Sequence, residues 1–304
     1  MRSTLFIRRA FPALLLALAI PAAAQTPTTI RTAVRPALRT TVADPPGLST
    51  QQQQWLARHC ILGAPRMHLA WAGTPMRMVV REGYALLHSS VDRIPLWVCE
   101  GLERAQLEGS AERDDAFAPD PLLKPGTRAE LADYKGTGFD RGHLAPAADQ
   151  SANPALKAET FFLSNMAPQA PRLNQQAWRE LEDLVRRWLI ARGNGYVITG
   201  GFFHDPNEDE PKTADGLITY QVIGGNAVAV PTHFYKIVAA RKPDGAWDVI
   251  GFVMENREYP RPFRFQDHVR PIAWIEEQTG IDFFPEMPAR DAFKLEFATP
   301  TLWQ

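Results

Sequence analysis

The chain has 304 residues, 45% of them hydrophobic and 22% charged, which excludes a disordered polymer, a collagen-like repeat and a many-span membrane protein. Its 33 lysines and arginines against 34 acids give a formal net charge of −1. Arg2, Arg8 and Arg9 fall in an acid-free stretch of 24 residues, and the remainder holds 30 basic against 34 acidic side chains, so a polyanionic partner must meet a local basic patch.

Residues 1–24 read as a signal peptide: the three arginines precede an apolar run over 10–20, then Pro21 and the small residues Ala22, Ala23 and Ala24, with cleavage expected after Ala24. The run is too short to span a bilayer. The mature chain is therefore expected to be exported, to the periplasm or out of the cell, and to leave the membrane once cleaved. Residues 25–54, rich in Thr, Pro and Ala and ending in Gln51 to Gln54, read as a flexible lead-in without a core. Residues 55–304 read as one globular domain. Export places Cys60 and Cys99 in an oxidising compartment, where they form one disulfide or stand as two buried thiols. No C-x-x-C or H-x-x-x-H spacing offers a zinc site.

Apolar patterning predicts strands over 76–80, 84–88, 196–199, 227–230, 234–239 and 248–254. Short polar joins such as 241–245 favour antiparallel neighbours. The strongest helix is predicted over 174–192, where Ala177, Trp178, Leu181, Leu184, Val185, Trp188 and Leu189 recur at three and four and Gly193 supplies a left-handed cap. A shorter helix is predicted over 271–279, ended by Gly280. The fold class is α+β with an antiparallel-sheet core.

The chemistry gathers around the string Tyr134-Lys135-Gly136-Thr137-Gly138-Phe139-Asp140-Arg141-Gly142-His143. Its glycines call for a tight turn, and His143 leaves that turn beside a cation and an acid. The glycine spacing matches neither a dinucleotide-binding fingerprint nor a phosphate-binding P-loop. Downstream stand Ser164-Asn165, Pro168-Gln169 and Asn174, then Trp178, Leu181, Glu182 and Arg186. On a regular helix Asn174, Trp178, Glu182 and Arg186 drift slowly along one side, so the polar members line a cleft while Trp178 anchors the helix.

Together Asp140-Arg141-Gly142-His143, Ser164-Asn165, Pro168-Gln169 and Asn174 with Trp178, Leu181 and Glu182 resemble the DNA/RNA non-specific endonucleases, built on the ββα-metal or His-Me finger. Looser likeness runs from Leu96-Trp97 through Arg113, Phe117, Asp120-Pro121 and Asp133-Tyr134 to the stretch Pro231 to Lys236 and Phe283-Phe284-Pro285. The resemblance implies His143 as general base and Asn174 as the direct ligand of Mg²⁺, or of Mn²⁺ or another divalent cation in its place. It implies Glu182 as a metal contact through water, and Arg141, Arg113 and Arg186 as phosphate-side arginines. The implied partners are DNA and RNA, held through the phosphate backbone, with a homodimer as the assembly found in the family.

Each residue has a plainer reading. Asn174 suits an N-cap, Glu182 and Arg186 suit an i,i+4 pair, and His143, Arg141 and Arg113 suit ordinary polar contacts. Their joint occurrence in family order favours the enzyme. The alternatives are a catalytically inactive nucleic-acid-binding protein on the same scaffold and a metal phosphodiesterase for small substrates. No G-x-S-x-G or H-E-x-x-H occurs. The acidic loop with His204 and Glu208 to Glu210 reads as solvent-exposed, and the basic face is expected near Arg141, Arg186 and Arg187.

Overall fold

Alternating apolar residues build the sheet that carries the molecule. In the computed structural model, which describes residues 29–34, 47–67, 75–112, 114–209 and 217–303, seven strands form one antiparallel sheet. Their order is Val269–Arg270, Trp247–Glu255, His233–Arg241, Asn194–Phe202, Ile94–Glu103, Ala85–Ser89 and Met76–Val80. The strand Ile94–Glu103 is absent from the sequence prediction because Pro95 and the Glu100-Gly101 pair interrupt its apolar run. It nevertheless lies near the sheet centre, where both neighbours satisfy its backbone.

The sheet separates two apolar cores. Val98, Val197, Phe234, Val238 and Phe252 face a layer holding Trp178, Leu181, Val185, Trp188 and Leu189. Trp97, Cys99, Tyr235, Ile237 and Val253 face the other way, towards Ile272, Ile275, Phe283 and Phe284. This two-sided arrangement is the α+β class expected. Cys60 and Cys99 both lie in the second core as unbridged thiols, so their pairing as a disulfide is not seen.

The predicted strands are all present, and 227–230 contracts to Val228–Ala229 in a separate three-stranded sheet. The helix Ile272–Thr279 ends at Gly280, with φ 67°, as read. Two departures concern the lead-in. Thr29–Val34 is a strand paired antiparallel with Leu217–Ile223. The glutamine run lies in the helix Thr50–His59, because Ser49 and Gln52 close a reciprocal capping box at its start. The helix Ala289–Glu296 went unpredicted. The signal-peptide reading lies outside the described residues.

Candidate active site

Two short strands and a helix make the site. Asp140–His143 pairs antiparallel with Met166–Gln169, setting His143 opposite Met166 and Gly142 opposite Ala167. Upstream, Gly136 and Gly138 take positive φ values of 72° and 83°, the left-handed turn that three clustered glycines announced. A Cβ at Gly142 would strike the buried Gln169 side chain, so the two strands close only over a glycine. Beyond His143 the chain is clamped by Asn165, whose Oδ1 accepts from the Ala145 amide and whose Nδ2 donates to the Ala145 and Thr160 carbonyls, each at 2.9 Å. Ser164 donates to the buried Asp120, which also takes Arg81 at 2.8 Å. These motif residues hold the finger rather than touch the cleft.

The helix does not start as a regular α-helix. Leu173–Trp178 is a π-turn, and the α-helix proper is Arg179–Arg192. Asn174 is therefore not the N-cap; its amide nitrogen donates to Asp140 Oδ2 at 2.8 Å. Gln175 donates to the same oxygen at 2.8 Å. With one N–H of its amide held by the Asp140 carboxylate, the Asn174 side chain is oriented and its carbonyl oxygen is left as an acceptor for a third group. Wide turns of this kind recur where a helix must aim a functional side chain.

The finger and helix enclose a cleft of about 740 Å³ lined by Arg141, His143, Asn174, Glu182 and Arg186, together with Asp140, Phe117, Tyr134, Arg179 and Asp183. Five of the six predicted site residues thus meet in one place. Arg113 lies outside the described residues. The His143 ring is set edge-on to Phe161 at 4.9 Å and tilted against Phe117 at 5.8 Å, which fixes its plane. The Arg141 guanidinium lies over the Phe117 ring at 4.5 Å and makes no ion pair with a described residue.

Arg186 is engaged differently from the reading. Its partner is not Glu182: Nε and a terminal nitrogen each reach Asp149 at 2.8 Å, and Nη1 reaches Asp183 at 2.8 Å. Its nitrogens are taken up by these two acids, one from its own helix and one from the turn Ala147–Gln150. Glu182 is half-buried, and burial pushes its carboxyl up to about 7, with the Lys236 ammonium pulling it back and Asp149 adding to the rise.

Sequence reasoning assigned no role to Asp140, Asp149, Arg179, Asp183, Glu100 or Lys236. The last two carry a visible signal, a charge inside an apolar strand, but their partners come from distant segments. His204 also departs from expectation: it is half-buried, with Nδ1 bonded to Gln278 at 3.0 Å and its ring against Trp274.

A divalent cation fits this donor set. The oriented carbonyl oxygen of Asn174 and the Glu182 carboxylate are hard oxygen donors of the kind Mg²⁺ takes, and their small number leaves room for its waters.

Residues 72–290 match the family model for DNA/RNA non-specific endonucleases. The chain belongs to the DNA/RNA non-specific endonuclease family. Its members' fold is the one described, and the protein is accordingly an endonuclease, a hydrolase of phosphodiester bonds. It is 39% identical over 211 residues to the human mitochondrial endonuclease G, covering 69% of this chain and 70% of that protein. Nuclease C1 of Cunninghamella echinulata var. echinulata is 33% identical over 71% of this chain and 85% of its own. A crystal structure of an EndoG/EndoGI complex, solved for the mechanism of EndoG inhibition, superposes with a TM-score of 0.68 at 30% identity, covering 77% of this chain and 93% of that one.

Proposed function

We propose that this endonuclease is exported and uses a divalent cation, Mg²⁺ first, to hydrolyse DNA and RNA without strong sequence or sugar preference. The observation that carries the reading is the Asp140 carboxylate bonded to the Asn174 amide, which leaves one carbonyl oxygen for a cation in the cleft that His143 also lines.

His143 takes the proton of the attacking water; a neutral imidazole has the basicity for it near pH 7. Asn174 would hold the cation through its carbonyl oxygen, and Glu182 would contact it through water. When bound, the cation polarises the phosphoryl oxygens and offsets charge on the departing 3′ oxygen. Arg141, spread on Phe117 and without an ion pair to a described residue, grips the scissile phosphate as a planar fork. The product carries a 5′-phosphate. Arg186, already bound to Asp149 and Asp183, acts by holding those acids in place. Arg113 enters only through the family likeness. Contacts made to phosphate rather than to bases or the 2′ position account for indifference to sequence and sugar. Export is supported by the arginines and apolar run ahead of Ala22 to Ala24.

The test is incubation of the purified mature protein with supercoiled DNA and with RNA, with and without chelator. Both substrates are expected to be cut only with metal, and His143→Ala to lose about 10²-fold or more, the usual worth of a general base. Cutting in chelator, or an undiminished His143→Ala rate, refutes the reading. For export, the protein recovered outside the cytoplasm should begin at Gln25; an intact Met1 there would refute it.

A further inference from the structure

Arg141 and Arg186 both line the cleft, yet the fold holds them in different ways. Arg186 is fixed by the carboxylates of Asp149 and Asp183, each at 2.8 Å, and its charge is spent on them. Arg141 is half-buried and makes no ion pair with a described residue. What it has is a ring: its guanidinium carbon lies over Phe117, 4.5 Å from the ring centre. A long side chain with nothing to hold it samples many rotamers, and ordering them on meeting a phosphate costs binding free energy.

The ring that meets Arg141 comes from a segment that is itself pinned. The Ala118 amide donates to the Phe161 carbonyl at 3.3 Å, and the Leu163 amide donates to the Ala118 carbonyl at 2.8 Å. Two residues further on, Asp120 is buried and held by Arg81 and Ser164. From this base the Phe117 ring stands T-shaped against Phe161 at 5.1 Å. Arg141 and His143 flank Gly142 on the strand Asp140–His143, so their side chains leave the same face. One ring therefore meets both, with the Phe117 and His143 centroids 5.8 Å apart. His143 keeps a second ring, Phe161 at 4.9 Å, whereas Phe117 is the one described ring under Arg141.

We infer that Phe117 is the platform that holds the Arg141 guanidinium in place for the scissile phosphate without neutralising it. A carboxylate would also hold it, as Asp149 and Asp183 hold Arg186, but would cancel the charge that a phosphate needs. The negative face of an aromatic ring attracts a cation and carries no net charge. Phe117 is thus a positioning residue, acting through Arg141 and not on the reacting atoms. The inference rests on the phosphate-gripping role proposed for Arg141.

The experiment replaces Phe117 with monofluoro- and trifluoro-phenylalanine, which keep the shape of the ring while fluorine withdraws charge from its face. Phe117→Leu, apolar but without a face, completes the series. On supercoiled DNA with Mg²⁺, kcat/KM should fall in the order Phe, monofluoro, trifluoro, Leu, reaching about two- to thirty-fold at Leu, the span of cation–π contacts. On the Arg141→Ala background the same series should change kcat/KM less than about twofold, as expected when one residue acts through the other. A flat fluorine series, or an equal loss on both backgrounds, overturns the inference, since packing alone or contact with His143 would then account for the ring. Should Phe117→Leu fail to fold, the two fluorinated forms decide alone. Arg141→Ala at full rate would instead defeat the role given to Arg141, and is seen before any Phe117 variant is assayed.

Discussion

Asp140 accepts hydrogen bonds from the amides of Asn174 and Gln175 through one oxygen, and this decides which end of the Asn174 amide faces the cleft. An amide turned about would present NH₂ hydrogens to a cation, a repulsive contact. Asp140→Asn should therefore raise the Mg²⁺ needed for half-maximal cutting by about tenfold, the order expected when the group that orients a ligand is lost. The rate at saturating metal should change far less. Equal metal dependence in metal-titrated plasmid assays would show that Asp140 does not set the amide. At this scale the sequence was informative about His143, Asn174, Glu182 and Arg141, because motif order marked them. It was silent on which partner each takes: Arg186 pairs with Asp149 across 37 residues rather than with Glu182 on its own helix. Contacts so far apart along the chain leave no periodic trace.

The helix under the cleft has two ends of different character. It opens with the π-turn Leu173–Trp178 and closes at Gly193, whose φ of 87° lies in the left-handed region. A side chain there costs about 1 kcal/mol or more, so Gly193→Ala should lower the melting temperature by a few degrees while cleavage at low temperature stays at the wild-type level. A large loss of turnover without loss of stability would contradict a purely capping role. The closing glycine was legible because left-handed residues are chemically conspicuous. The opening π-turn was not, since its residues Leu-Asn-Gln-Gln-Ala-Trp continue an acceptable α-pattern; hydrogen bonding by Asp140 and burial of Trp178 decide it. The strand Ile94–Glu103 was hidden for a related reason: Glu100 interrupts its apolar run, and the buried Lys236 that acts on its charge sits two strands away.

With a formal net charge of −1, the whole chain cannot draw in a polyanion by overall field. Attraction must come from the cleft itself, where Arg141 and Arg179 make no ion pair with a described residue while Arg186 is neutralised by two acids. Each neutralised phosphate contributes about 0.9 to the log–log salt slope on duplex DNA, so binding measured with His143→Ala should weaken with a slope of about two, and Arg141→Ala should reduce it by about one. A slope near ten would demand a far larger basic surface. The division of the fold into layers was evident from alternating strands; which of its two sides carries the chemistry was evident only from the motif. Neighbouring residues of one strand serve opposite layers, for Tyr235 packs into the far core while Lys236 stands under the cleft. The partition between the two halves is therefore a shared floor: one strand seats an aromatic anchor of the remote side and, at the next residue, the ammonium beneath Trp178.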